Sequence, residues 1–216
     1  FPYGADEDAA FIITWLELHK LNGIKKLAKI IDNLDKKFNG HFNLKDVKSK
    51  KKIDLKNCSL LMKGPNLFDY LYNRAKNNKF NEVIIENCID PIFSIPLIVK
   101  ISKKNINMSA YWLDKNLTKI VNIKENNITI GTSKKNLKLK KNQLIIKFHT
   151  DKKRINENSI KKFQIINNKI EQRRLKKSLN PLKKDWDLIS LIANRTFVPE
   201  SEQSRNKGAG GGDAND

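Results

Sequence analysis

The chain contains little of what builds several common protein classes. It has two cysteines, six prolines, nine glycines and three histidines in 216 residues. A secreted disulfide scaffold needs more cysteine, and a collagen-like chain needs far more glycine and proline. The longest apolar run, residues 92–99, is interrupted by Ser94 and Pro96. It is too short for a membrane-spanning helix of about 20 residues. We therefore expect no membrane partner.

Motifs that hold nucleotides, metals or covalent intermediates are also missing from the sequence. There is no glycine-rich phosphate loop, no paired-cysteine motif, no HExxH motif and no serine elbow of the GxSxG type. The three histidines, at positions 19, 41 and 149, are scattered singly. The sequence therefore names no cofactor and predicts no metal site.

The charge of the chain is strongly positive. Lys and Arg total 43 against 23 Asp and Glu, which gives a net charge of +20. Lysine supplies 37 of the basic residues, and Lys, Asn and Ile together make up 91 of the 216 residues. All three have A/T-rich codons, so much of the charge reflects genome composition. Net charge of this size still attracts polyanions.

The densest basic patch contains Arg173, Arg174, Lys176 and Lys177. It lacks the interleaved aromatic residues on which single-stranded bases stack. A nucleic acid is therefore an alternative partner and is not the favoured one.

The length predicts a single domain with its own core. Cys58 and Cys88 each lie beside an apolar run, and we interpret both as small buried hydrophobic residues in a reducing cytoplasm. The sequence begins at Phe1 and not at methionine. We interpret it as a fragment of a longer chain.

Helical periodicity is clearest at the two ends of the chain. Residues 5–20 carry an apolar stripe after an acidic first turn, Gly23 ends that helix, and residues 24–38 form the second helix of a hairpin. A turn at residues 64–66 precedes a helix that ends near Asn77. Asn180 and Pro181 predict the cap of a last helix over 182–195. Its core face would carry Leu182, Trp186, Ile189 and Ile192.

The middle of the chain has the alternation that is typical of strands. Strands are predicted at 83–86, 93–101, 106–113, 118–124, 128–130, 137–140 and 144–149. The pattern over 156–178 suits both helix and strand. Separate helical and antiparallel parts indicate the α+β class, with a meander sheet of five to seven strands. The parts are a helical hairpin (1–44), a basic loop and helix (45–80, with 45–57 as solvated loop), the sheet (81–150), a helical part (151–198) and a polar tail (199–216).

The tail has an unusual composition. Four of the nine glycines fall between residues 208 and 212, and Arg195 and Arg205 bracket the stretch in a lysine-rich chain. Glycine permits close backbone approach to a ligand, and the planar guanidinium suits a carboxylate or phosphate. The polar candidates here are Ser201, Glu202, Ser204 and Asp216. A solvated, frayed end is the alternative for such a segment.

Both ends of the chain resemble an uncharacterised bacterial family of unknown function. The tail matches a pattern of the form RT[YF]VPxSExSRxxGAGxG followed by Asn-Asp, here Asn215 and Asp216. At the opening, Gly4, Glu7, Ala9, Trp15 and Leu16 match the start of the family. The resemblance implies a cytoplasmic bacterial protein with no assigned activity. It favours an ordered site in the tail.

The sequence thus predicts an uncharacterised protein that binds or transforms a small anionic metabolite with its tail. Two alternatives stay open, namely a nucleic-acid-binding protein and an accessory subunit whose tail docks on a partner enzyme. Whether the protein is an enzyme is left open. Glu202, Ser204 and Asp216 are the catalytic candidates, and Glu7 ranks behind them. The ligand-binding candidates are Arg195, Ser201, Arg205, Gly208, Gly210 and Asn215.

Overall fold

The computed structural model describes residues 4–34, 51–77, 81–102, 106–124, 127–133, 137–149, 160–167, 170, 174–175 and 179–195. These residues confirm the α+β class, with five helices and one sheet. The helices are α1 (Ala5–Leu18), α2 (Gly23–Leu34), α3 (Leu60–Lys76), α4 (Ser94–Ser102) and α5 (Lys183–Asn194). The strands are β1 (Lys52–Ser59), β2 (Glu82–Ile89), β3 (Asn107–Asp114), β4 (Leu117–Lys124), β5 (Asn127–Ser133), β6 (Leu144–His149) and β7 (Ile160–Ile166).

The sheet is mixed, so the predicted antiparallel meander is wrong in its connections. The strand order over the described residues is β1-β2-β6-β3-β4-β5-β7. Strands β1 and β2 are parallel, and α3 joins them. Because β2 and β3 are both antiparallel to β6, they are parallel to each other, and α4 lies in the connection between them. The carboxyl ends of β1, β2 and β3 therefore lie on the same side of the sheet, at the end where these three strands terminate.

Buried apolar side chains cross the sheet in rows on one face. One row runs from Val83 through Ile146, Ala110 and Val121 to Ile130, one residue from each of five neighbouring strands. These side chains share a single core cluster with the buried residues of α1, α3 and α4. Alternation along each strand turns the next residue to the opposite face.

The helices pack on the core face in a connected layer. Helix α4 contacts β3 and β4, and α3 contacts β1. Helix α1 contacts α2, α3 and α4, and it buries Ile12, Ile13 and Leu16 as the apolar stripe predicts. Helix α5 packs against α2.

Residues 94–102 form a helix, so the strand predicted at 93–101 is wrong. The segment is α4, preceded by a short 3₁₀ turn at Pro91–Phe93. Residues 94 to 99 are all buried, and a helix buried on every side has no amphipathic period that distinguishes it from a buried strand. Pro96 is the third residue of α4, where its backbone nitrogen needs no helical partner.

The prediction of a solvated loop up to residue 57 is also wrong. Residues 52 to 57 belong to β1, with Ile53 and Leu55 buried and the lysines around them exposed. The pairing with β2 shifts between Asp54 and Cys58, which marks a bulge. The predicted strand at 137–140 has no regular structure.

Two helix starts differ from the prediction. Helix α3 begins at Leu60, where the Ser59 hydroxyl accepts the backbone N–H of Leu61 at 3.1 Å, so Pro65 lies inside the helix. Helix α5 begins at Lys183 after the uncapped Leu182, and none of its 12 residues, all of which the structure describes, is buried. The predicted core face of α5 is therefore wrong: Trp186 is 51% exposed.

Candidate functional site

Most of the residues proposed from the tail lie outside the described residues. This holds for Ser201, Glu202, Ser204, Arg205, Gly208, Gly210, Asn215 and Asp216. Arg195 is described. It caps the carboxyl end of α5 and is exposed. The tail site therefore stays a prediction.

The other candidates from the sequence are scattered. Glu7 is exposed in the first turn of α1. Arg174 is partly buried, whereas Arg173, Lys176 and Lys177 lie outside the described residues, as does His41. His19 is buried, with its Nδ1 2.7 Å from the carbonyl of Trp15 and its ring stacked on that indole. None of these residues is brought to a common site by the described part of the chain.

The structure instead shows a cleft rich in lysine at the end of the sheet where the parallel strands β2 and β3 terminate. It has a volume of about 720 Å³, which lies in the usual range for ligand pockets. We call it the basic cleft. The described residues that line it come from the α1–α2 turn, helix α2, the segment leading into α4, the β3–β4 hairpin, strand β5 and the approach to β6. Its described lysines are Lys20, Lys26, Lys29, Lys115, Lys119 and Lys141.

Polar and apolar residues complete the wall of the basic cleft. Asp90 and Asp114 are the described acidic residues in its lining, so cations outnumber anions there. Three asparagine amides also line it. The apolar part includes the nearly buried Trp112. The remaining lining residues are Leu21, Asn22, Pro91, Ile92, Ile95, Leu113, Asn116, Ile130 and Asn142.

Tight turns form the rim of the basic cleft. Lys115 and Asn116 make the two-residue turn between β3 and β4 with φ values of 47° and 63°, as a type I′ hairpin turn requires. Lys20, Asn22, Asp90 and Asn142 also have positive φ values. Such conformations fix the direction of the chain at an energetic cost for residues other than glycine. The rim is thus built from turns with positive φ values, and all three asparagines of the cleft (Asn22, Asn116 and Asn142) have this conformation.

A second set of polar residues lies on the sheet face opposite the helices. Glu82, Lys147, Ser109, Asn122 and Thr129 are successive cross-strand neighbours on five adjacent strands. We call them the polar row. The Lys147 ammonium lies 2.8 Å from the Glu82 carboxylate. Sequence reasoning predicted His149 and Lys147 on the face away from Phe148 but gave no signal for their partners.

Ser109, in the middle of the polar row, contacts His149. The Ser109 hydroxyl oxygen lies 2.8 Å from Nε2 of His149, although 40 positions separate the two residues. Ser109 is fully buried, and His149 is partly buried. Burial, and then the positive charge of Lys147, lowers the pKa of His149 below its ordinary value of 6.5. The imidazole is therefore neutral at pH 7 and can accept a proton.

The two cysteines lie opposite each other on the parallel strands β1 and β2. Both are buried free thiols, as the sequence predicts. Burial raises the pKa of each thiol. The Cys58 sulfur lies 3.9 Å from the sulfur of Met62. This environment favours the protonated, unreactive form.

Within the described residues, no group of three or more His, Cys, Asp or Glu residues is placed to hold a metal ion. No helix in the described ranges is long and apolar enough to cross a membrane.

Residues 1–66 match a family model described as "Protein of unknown function (DUF3726)". This confirms the resemblance to a family of unknown function over that segment. The tail motif lies beyond the match. The matched segment includes α1, α2 and β1, and with them Lys20, Lys26 and Lys29 of the basic cleft. No curated protein and no solved structure matches the chain.

Proposed function

We propose that the protein binds a small anionic ligand in the basic cleft. The observation that carries the proposal is the convergence of six described lysines on one cleft of about 720 Å³, against two described aspartates. Lysines from separate segments of the chain raise the local concentration of anions, because their positive potentials add. The volume suits a metabolite-sized molecule.

The position of the basic cleft supports a binding role. Ligands of open α/β sheets commonly bind at the carboxyl ends of parallel strands. Asp90 directly follows β2, and Lys115 directly follows β3. Helix α2 begins beside the cleft, with Asn22 and Lys26 in its lining. A helix amino terminus adds a partial positive charge.

The lining favours an organic phosphate or carboxylate with further polar groups. Lysine binds phosphate and carboxylate as a flexible point charge. Asparagine amides both donate and accept hydrogen bonds, and aspartates accept them from hydroxyl groups. The cleft therefore offers contacts to the anionic group and to the uncharged part of the same ligand.

The tail has a place in this proposal as a flap over the cleft. Helix α5 packs against α2, which lines the cleft, and the chain continues from Arg195 at the end of α5. In this hypothesis Arg195 and Arg205 clamp the anion. Ser201, Ser204 and Asn215 would orient it, Gly208 and Gly210 would permit close approach, and Glu202 or Asp216 would transfer protons.

The experiment is a thermal-unfolding titration with inorganic phosphate, pyrophosphate and citrate. A ligand at about 100 times its Kd stabilises a protein by about 2.7 kcal/mol, which corresponds to roughly 5–10 °C for a chain of this size. We expect Lys26→Ala combined with Lys29→Ala to remove the response. Lys25→Ala is the matched control, since Lys25 is exposed on the same helix and does not line the basic cleft.

The outcomes separate the proposal from its alternatives. No response to any of the three anions would overturn it, and so would an equal loss in the Lys25→Ala control. A response only to oligonucleotides would favour the nucleic-acid alternative. A chain ending at Val198 tests the flap: an unchanged response would remove the tail from the site and leave docking on a partner enzyme as its role. A cytoplasmic bacterial location is part of the same proposal, which the free thiols support.

A further inference from the structure

We propose that Ser109 and His149 form a nucleophile–base pair that cleaves small carboxylic esters. This inference is independent of the basic cleft. It rests on the pair itself and on the polar row beside it, on the sheet face opposite the helices.

The pair has the geometry of an activated nucleophile. The Ser109 hydroxyl lies 2.8 Å from Nε2 of His149, which is within the range for proton transfer from a serine to a base. Strands β3 and β6 are neighbours in the middle of the sheet, so the backbone fixes both residues. His149 is neutral at pH 7 because burial and Lys147 lower its pKa.

A second observation at the same place indicates a ligand. Asn122 is the cross-strand neighbour of Ser109 and is only 5% exposed. Neither polar atom of its side-chain amide has a hydrogen-bond partner in the described structure. A buried amide without partners is unfavourable. The oxygen of a substrate carbonyl would satisfy its N–H group, and an asparagine amide can stabilise the oxyanion formed there.

Burial sets the size of the substrate. Ser109 has no exposed surface, whereas His149 is partly exposed. In this proposal the substrate enters beside the partly exposed imidazole, which requires the side chains over the Ser109 hydroxyl to shift. This restricts the acyl group to a short one, such as an acetyl group.

The reaction balances with water as the other reactant. The Ser109 oxygen forms a bond to the ester carbonyl carbon while its proton passes to Nε2 of His149. The bond to the leaving alkoxide then breaks, and the alkoxide takes that proton. Water, deprotonated by His149, attacks the acyl-serine, and the carboxylic acid leaves with Ser109 regenerated.

The experiment uses methanesulfonyl fluoride, a serine-directed reagent about as small as an acetyl donor, on the full chain at pH 7.5, followed by peptide mass mapping. The Ser109 oxygen would displace fluoride from sulfur, with its proton passing to His149. We expect one labelled site, Ser109. His149→Gln should slow the labelling by about 100-fold or more, the usual contribution of a general base. Hydrolysis of p-nitrophenyl acetate should fall in parallel.

Ser102→Ala is the matched control. Ser102 is another buried serine, whose hydroxyl donates to the carbonyl of Val99, and its loss should leave the labelling of Ser109 unchanged. Circular dichroism shows whether each variant is folded. An unlabelled Ser109 in the wild-type chain, or equal labelling in His149→Gln, would overturn the proposal and make the pair a structural hydrogen bond. The wild-type result stands even if a variant does not fold.

Discussion

Gly23, the first residue of α2, packs directly against the backbone carbonyl of Ile13 in α1. A side-chain carbon on Gly23 would overlap that oxygen and would also lie against the backbone nitrogen of Glu17. The close approach is secured by a hydrogen bond of 2.9 Å from the Ile24 N–H to the Glu17 carboxylate. This corner carries Lys20 and Asn22 into the basic cleft, so its geometry shapes the candidate site.

Gly23→Ala should therefore destabilise the protein. Overpacking against backbone atoms costs about 1–3 kcal/mol, and the expected fall in Tm is roughly 3–10 °C for this size. Lys25→Ala, an exposed change on the same helix, should leave Tm nearly unchanged. An unaltered Tm in Gly23→Ala would mean that the two helices separate without cost.

Ionic strength should distinguish a small ligand in the basic cleft from a polyanion on the surface. A small anion meets only a few lysines, so its affinity should fall less than about tenfold between 50 and 200 mM salt. A nucleic acid that makes 6–10 phosphate contacts would lose about 10³–10⁵ in affinity over that range. Isothermal titration at the two salt concentrations checks this. A steep loss for pyrophosphate would contradict a site of defined geometry.

The parts of the fold that local patterns predicted are those in which one face is buried. Helix α1 shows its stripe because its other side is polar, and β6 alternates because Ile146 is buried and Lys147 is not. Strand β1 has the same alternation at Ile53 and Leu55. The lysines around these two residues favour a solvated loop, so the short alternation by itself did not predict a strand.

The parts that local patterns could not predict depend on distant pairing. The insertion of β6 between β2 and β3 has no signature within any short window of sequence. The basic cleft draws its lysines from the α1–α2 turn, helix α2, the β3–β4 hairpin and the approach to β6, so no single segment is enriched enough to mark it. Ser109 and His149 are likewise joined only by the register of β3 and β6.

A matched pair of leucines tests the position of α5. Leu67 is fully buried in α3, whereas Leu191 on α5 is 59% exposed. Leu67→Ala should cost about 2–5 kcal/mol, the usual price of a core cavity. Leu191→Ala should stay within about 0.5 kcal/mol. Urea unfolding of both variants gives the comparison, and an equal loss in the two would show that α5 belongs to the core.

The two thiols should be inert in the native protein. Cys88 is fully buried and Cys58 is 8% exposed, and burial raises the pKa of both. We expect neither to react with Ellman's reagent at pH 8 until urea is added, after which both react. Cys58→Ser reduces the final signal to one thiol and serves as the control. Rapid native reaction of Cys58 would indicate that β1 opens easily.

Protonation of His149 should destabilise the fold. Its native pKa lies below the ordinary value of 6.5, because of burial and then of Lys147 on the same strand. The unfolded chain therefore binds more protons between the two pKa values, and stability falls as the pH decreases through that window. Below the native pKa the full loss is reached, and above 6.5 it vanishes.

Urea unfolding of the wild-type chain and of His149→Gln, at several pH values from 7.5 downwards, measures this contribution. Glutamine keeps a hydrogen-bonding group beside Ser109 and has no charge to gain. The variant should therefore lose the part of the pH slope that begins near 6.5. Lys147 and Glu82 are present in both chains, so the difference between the two plots of unfolding free energy against pH isolates the contribution of the imidazole. Identical slopes in the two chains would show that His149 accepts a proton in the native sheet as readily as in water, and would remove the basis for treating it as a neutral partner of Ser109.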